Sequence, residues 1–405
     1  MNADNLVYFD NHATTKVDER VLEKMLPFFS LEYGNAASQH AKGWDAEEAV
    51  EEARIQVAKL IGAKPHEIVF TSGATESNNL ALKGLAQTTK KRHLITTKVE
   101  HKCILETAKH LQEEGFSVTF LPVETDGRVD RETLKKALQK DTFLVSIMTA
   151  NNEIGSINNL EEIGKICAEA GVVFHTDAAQ ALGKVAITVQ EQNIDLLSGS
   201  AHKFYGPKGV GFLYVREGIT LSAQMLGGRQ ESGHRSGTLN VPGIVGLGEA
   251  ARICREQFAQ DFWQAFTLRN LLHTLLKAKI PSYRVNGTKI EEDEQRGENF
   301  SESDEERSTA VASRTLHRLP HNLNFSLGPI AATDVFRKTK NICMSTGSAC
   351  TSTVIEPSHV LSAIGLSDRE IETSLRIGLG RFTTEEEVQY VAKRLVEVAR
   401  SCQTL

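Results

Sequence analysis

Long apolar runs are missing from this chain of 405 residues. No stretch reaches the about 18 consecutive apolar residues that a membrane-spanning helix needs, so no membrane partner is expected. Cysteine is scarce as well, at Cys103, Cys167, Cys254, Cys343, Cys350 and Cys402. These six are too scattered for a Cys-x-x-Cys zinc site and too few for a disulfide framework in so long a chain. A reduced, cytoplasmic setting with no resident metal is expected. The segment from Met1 to Asp10 has no basic region followed by an apolar core, so it does not read as a signal peptide. Positive charge is not in excess: the formal net charge is −6, which excludes nucleic-acid binding through overall charge. Gly at 30 and Pro at 9 exclude collagen-like and wholly disordered classes.

What is present is an alternation. Ala46 to Ile61 has the spacing of an amphipathic helix, and Ile68 to Phe70 is a short apolar run. Leu94–Thr97, Ser117–Leu121, Phe143–Met148, Val172–Phe174 and Val210–Val215 read as further strands, with helices at Cys103–Glu114 and Leu160–Ala170. Strands alternating with helices predict an α/β fold with a mostly parallel sheet covered on both faces. Beyond residue 250 the pattern changes. One long helix is expected over Gly243–Lys277, then strands at Tyr283–Asn286 and Asn322–Ser326, and a closing helix over Thr383–Ser401. The reading is a large domain over 15–255 and a smaller one from 1–14 and 256–405. The segment 291–313 is too polar to bury and is expected to be a mobile, disordered loop.

Polar clusters follow several of these strands, where open α/β sheets bind ligands. Ile68–Phe70 leads into Thr71-Ser72-Gly73-Ala74-Thr75-Glu76-Ser77-Asn78-Asn79 and then a helical pattern. A glycine turn feeding a helix N-terminus offers amide donors to an anion, although a plain Ser/Thr cap looks the same in sequence. Val172–Phe174 leads into His175-Thr176-Asp177-Ala178-Ala179-Gln180. A carboxylate there suits either a cationic cofactor nitrogen or a structural ion pair. The third cluster, Ser200-Ala201-His202-Lys203, sets a lysine amid small and polar residues, where burial can lower its pKa and make it a nucleophile. Taken in order, the three are the parts of a pyridoxal 5'-phosphate site.

With Val99-Glu100-His101, Arg235-Ser236-Gly237-Thr238, Ser345-Thr346-Gly347-Ser348-Ala349-Cys350-Thr351-Ser352 and Ser374-Leu375-Arg376, the chain resembles a cysteine desulfurase of the fold-type I, class V aminotransferase family, NifS-like branch. The resemblance runs from Tyr8 to Phe382 and implies a seven-stranded large domain with a smaller α+β domain. It implies that Lys203 holds the cofactor covalently and moves the substrate proton. His101 would stack on the cofactor ring, Asp177 pair with its nitrogen and Gln180 donate to its phenolic oxygen. Ala74, Thr75, Ser200 and His202 would hold the phosphate, with Thr238 reaching it from the other subunit of a homodimer. Asn152 and Arg376 would grip the carboxylate of L-cysteine. Cys350 would take the sulfur as a persulfide and pass it to an acceptor protein for iron–sulfur cluster assembly or tRNA thiolation, and it is the residue that would ligate such a cluster transiently. The other five cysteines read as structural or incidental, Cys343 being nearest to Cys350 in sequence.

The chain departs from that pattern at Asn11-His12, at Arg229, where a glycine is usual, and in the length of its acidic segment. Residues 291–307 hold nine acidic and two basic residues, so the remaining chain is close to neutral. The segment suits a solubilising insert or a docking element for a basic partner. Rival readings on the same scaffold are a selenocysteine lyase or other β-lyase, a non-catalytic sulfur-relay partner, and a role in DNA sulfur modification.

Overall fold

The computed structural model describes residues 6–297, 305–346 and 357–403. Its strands are β1 (Val7–Tyr8), β2 (Ile68–Thr71), β3 (His93–Thr97), β4 (Ser117–Leu121), β5 (Thr142–Ser146), β6 (Val173–Asp177), β7 (Leu196–Ser200), β8 (Gly211–Val215), β9 (Arg284–Val285), β10 (Asn322–Ser326), β11 (Ile342–Cys343) and β12 (Ser374–Gly378). The expected α/β architecture is present: seven strands form one sheet in the order β2-β8-β7-β6-β5-β3-β4. Every pairing from β7 through β4 is parallel, and β8 alone runs against both of its neighbours.

The strands read as continuous apolar runs because both faces are buried. Ile68, Phe70, Ile95, Val145, Phe174, Leu197 and Phe212 face a layer that includes Val50, Val57 and Ile61 of the helix Ala41–Ile61 and Ile244 and Leu247 of the helix Val241–Glu256. Their sequence neighbours Val69, Leu94, Leu144, Leu196 and Leu213 face Leu80, Leu82 and Leu85 on one helix and Ile104 and Leu111 on another. A smaller antiparallel sheet, β12-β10-β9, packs with the helices Phe258–Lys279 and Glu385–Gln403 around Phe325, Leu375 and Ile377. Val7 and Phe9 join this second core, and β1 pairs with β11. No helix among the described residues is long and apolar enough to cross a membrane.

Two expectations need correction. The single helix over Gly243–Lys277 is two helices, Val241–Glu256 and Phe258–Lys279, which meet at Gln257. Apolar periodicity continues across the break because the first helix packs on the large sheet and the second turns to the small one. The segment 291–313 is helical where it is described, over Ile290–Gly297 and Glu305–Thr315. Ile290, Asp293, Thr309, Ala312 and Ser313 are buried. Composition misleads here because one acid is compensated inside: Asp293 accepts the His317 amide at 2.9 Å and lies 4.0 Å from the buried Arg269 guanidinium.

A buried ion pair fastens the loop after β8 to the sheet. Arg54 donates to both carboxylate oxygens of Glu231 at 2.9 Å and to the Ile68 carbonyl at 2.7 Å, while Glu231 also accepts the Phe70 amide at 2.6 Å. Glu231 and Arg229 both hold positive φ, at 50° and 61°, which is why glycine is the easier residue at position 229. Arg54→Leu strands the Glu231 carboxylate inside and is expected to cost about 3–5 kcal/mol. The check is the denaturant midpoint of the variant; a midpoint equal to the parent's refutes this role for the pair.

Candidate active site

The reversed strand β8 brings the ends of β2 and β7 together. Gly211 pairs with Thr71 on one side and Ser200 on the other. A Cβ at Gly211 would lie 2.4 Å from the Gly199 carbonyl oxygen and 2.6 Å from the Gly73 Cα, so only glycine lets the strands close to this distance. Just beyond Thr71, Gly73 takes φ +151° and opens the helix Ala74–Ala86, which starts beside Ser200. Amide donors of a 13-residue helix and the Ser200 hydroxyl therefore converge, a donor set suited to a phosphate.

They form one end of a cavity of about 490 Å³. Ten expected residues line it: Ala74, Thr75, His101, Asn152, Asp177, Gln180, Ser200, His202, Lys203 and Arg376. Thr238 does not line it; it is exposed on the loop held by Glu231. Cys350 lies outside the described residues, but its described flanks reach pocket residues. Ser345 exchanges backbone hydrogen bonds with Arg376, and the Ser358 hydroxyl donates to Glu153, next to Asn152, at 2.5 Å. A larger cavity, about 710 Å³, surrounds Arg54 and Glu231 and contains none of the expected site residues.

Lys203 ends the turn after β7, and its Nζ donates to the carbonyls of His12 at 2.6 Å and Ala13 at 2.9 Å. Burial, helped by the nearby charges of Arg376 and Lys184, pushes its pKa down to about 8. Lys184 is itself buried, pushed down to about 8, and donates to the Lys203 carbonyl at 2.7 Å. Asp177, at the end of β6, accepts Asn78 Nδ2 at 2.7 Å and the Ala179 amide at 2.9 Å. Those donors hold a buried carboxylate in a fixed orientation in the cavity wall. Arg376 is buried on β12; it donates to Asp10 at 3.1 Å, to the Ser345 hydroxyl at 2.7 Å and to the Asn152 carbonyl at 2.9 Å. Its Nε is buried without a partner. Burial and the adjacent Lys203 charge push His202 down to about 4, so it serves as a neutral group.

Sequence reasoning missed His12, Lys184 and Cys103. His12 Nδ1 donates to Gln180 Oε1 at 3.1 Å, Asn322 Nδ2 donates to His12 Nε2 at 2.9 Å, and Gln180 Nε2 returns to the His12 carbonyl at 3.0 Å. The ring packs against His321 with centroids 4.3 Å apart, and burial drives both histidines well below their ordinary pKa. The departure at Asn11-His12 was the one available signal. Cys103, not among the expected site residues, has its Sγ 3.0 Å from His101 Nδ1. Among the described residues no cluster of three or more His, Cys, Asp or Glu could hold a metal ion.

The family model described as Aminotransferase class-V matches residues 7–391. A cysteine desulfurase IscS of Anaeromyxobacter sp. (strain Fw109-5) is 50% identical over 399 residues, which cover 97% of this chain and 92% of that protein. Among solved structures, a NifS-like protein superimposes with a TM-score of 0.86 at 39% identity, covering 98% of this chain and 99% of the other. SspA, solved in complex with cysteine, superimposes with a TM-score of 0.76 at 36% identity, covering 93% of this chain and all 100% of the other. With the fold and the lysine-bearing cavity in place, the chain belongs to the class-V aminotransferase family, as a cysteine desulfurase of the IscS and NifS-like kind.

Proposed function

We propose that the cavity holds pyridoxal 5'-phosphate and that the chain uses it to take sulfur from L-cysteine, with Cys350 as acceptor. The observation that carries this reading is a buried lysine with its pKa near 8 facing an oriented carboxylate and a helix-start anion cradle within one cavity. The cradle of Ala74, Thr75, Ser200 and His202 suits the phosphate, Asp177 the ring nitrogen, His101 the ring face and Gln180 the phenolic oxygen. Bound there, the cofactor supplies the electron sink that makes the substrate Cα–H acidic.

The chain's own residues do the rest. Arg376 and Asn152, both lining the cavity, orient the substrate carboxylate, for which the planar guanidinium is suited. Lys203, poorly solvated and not tied to a carboxylate, is suited to carry the proton at Cα. The Cys350 thiolate attacks the substrate sulfur. A sulfur–sulfur bond forms as the Cβ–S bond breaks, and protonation of the carbon releases L-alanine. The persulfide then passes to an acceptor protein, in iron–sulfur cluster assembly or tRNA thiolation.

A homodimer fits the remaining features. Thr238 is exposed and outside its own cavity, as a residue serving the partner's phosphate would be. Leu22, Leu26, Phe29, Leu31, Tyr33 and Trp44 expose apolar area that a second subunit can cover. We place the enzyme in the cytoplasm.

Two substitutions separate the steps. Lys203→Ala is expected to abolish both the visible absorbance of the bound cofactor and alanine formation. Cys350→Ser is expected to keep the absorbance and lose the protein-bound persulfide; full cysteine turnover in that variant rules out Cys350 as the acceptor. Arg376→Lys keeps the charge but loses the planar donor pair, and kcat/KM for L-cysteine is expected to fall roughly 10- to 100-fold. A steady-state assay that finds it unchanged removes Arg376 from substrate binding.

A further inference from the structure

His101 forms part of the cavity wall and also starts a helix. It caps Lys102–Glu113, and its Nδ1 accepts the backbone amide of Cys103 at 3.3 Å. A backbone amide can only donate, so Nδ1 bears no proton in this arrangement. The Cys103 Sγ lies 3.0 Å from the same nitrogen and accepts Asn78 Nδ2 at 3.1 Å. With an N–H already directed at the sulfur, bare Nδ1 at 3.0 Å is an acceptor for the thiol proton, the Thr75 hydroxyl being the sulfur's other polar neighbour. The same Asn78 amide nitrogen donates to Asp177 at 2.7 Å. Asn78 is fully buried with Oδ1 unpartnered, and turning the amide over would set that oxygen against the Asp177 carboxylate. One directional chain therefore joins two cavity groups: Asn78 donates to Asp177 and to Cys103, and Cys103 donates to His101.

We propose that Cys103 is a positioning residue for the desulfurase reaction, its thiol and backbone amide together holding His101 as the neutral imidazole with the proton on Nε2. The proposal rests on the reading of His101 as the group against the cofactor ring. Protonating Nδ1 would drive a new N–H against the Cys103 amide, which can only donate, and would turn the thiol proton away. Desolvation by the surrounding protein lowers the His101 pKa in the same direction, as do Lys203 after β7, His359 from the helix His359–Ala363 and Lys102 on its own helix. Asp177, at the end of β6, opposes them. On the thiol side, burial together with Asp177 and Glu100 pushes Cys103 up to about 12, so it stays a donor. His101 thus offers an N–H rather than a lone pair to the occupant of the cavity, and cannot remove a proton without first surrendering the contact to Cys103.

The test uses holoenzyme labelled with 15N-histidine, in which the two neutral tautomers give distinct nitrogen shifts and two-bond couplings. The His101 signals are those missing from His101→Gln. Wild type and Cys103→Ser are expected to show the Nε2–H form at neutral pH. Cys103→Ala keeps the backbone amide and so is expected to keep the Nε2–H form, but its Nδ1 signal moves downfield toward that of an unbonded nitrogen and the acid limb of its kcat/KM profile moves up by about half to one pH unit. The direction follows because neutral His101 is the competent form and removing a donor aimed at Nδ1 raises its pKa. An Nδ1–H signal in wild type overturns the proposal. So does a Cys103→Ala enzyme with both Nδ1 shift and acid limb unchanged, or a Cys103→Ser enzyme that behaves like the alanine variant. The spectra are independent of turnover, so a fully active His101→Gln enzyme would refute the reading of His101 while leaving the role of Cys103 decided by the shifts.

Discussion

The structure turns on the passage of the chain at Phe9–Thr15 between the three-stranded and the seven-stranded sheets. Asn11 and Phe9 exchange backbone hydrogen bonds with Gly378 on β12, and four residues later Thr15 bonds the His202 carbonyl beside β7. The carbonyl of His12, midway, accepts both Lys203 Nζ and Gln180 Nε2. This strap is what allows a lysine to be buried without a carboxylate. Its ammonium is solvated by two carbonyls, enough to admit it to the interior and too little to hold its pKa at the value it has in water. A chain break or insertion in this strap would unseat the lysine, the glutamine and the β12 arginine together.

The surroundings of that lysine are chosen by protonation state as much as by shape. Lys184, Lys203 and Arg376 bring positive charge to the seam, while His12, His321 and His202 are neutral because burial and those cations oppose a further charge. Across the cavity, burial pushes Glu100 up to about 8, although its Oε1 accepts from Thr97 and from the Met148 amide. Asp10 is then the carboxylate bonded directly to one of these cations, Arg376, while Asp177 is held by the neutral Asn78 amide and the Ala179 backbone N–H. An anionic occupant of the cavity therefore meets net positive charge.

How much of this could be read from the sequence follows from the range over which each residue acts. Gly73 to Thr75, Asp177 and Lys203 were legible because each lies within a few residues of a strand end, so local pattern and chain order carry the meaning. Arg376 and His101 needed the family resemblance, since nothing in their own neighbourhood marks them. His12 and Lys184 work through space on a lysine 191 and 19 positions away, and Cys103 acts through a thiol contact that no spacing rule encodes. The acidic segment was misread for a different reason. Averaged polarity describes residues 291–307 well, but whether the chain folds there depends on Ile290 and Asp293, which the average conceals.

The opposed direction of β8 has a mechanical consequence. Because one residue, Gly211, is shared by the terminal pairs of both β2 and β7, the anion cradle and the turn bearing the lysine are two ends of a single three-strand rung. Any change that shifts β8 carries both ends with it, so the distance between the helix start at Ala74 and the Lys203 turn cannot be adjusted by altering one loop. The walls supplied by other elements, among them the strap bearing His12 and the helix start at Cys103, lie outside that shared rung and leave the gauge of the site untouched.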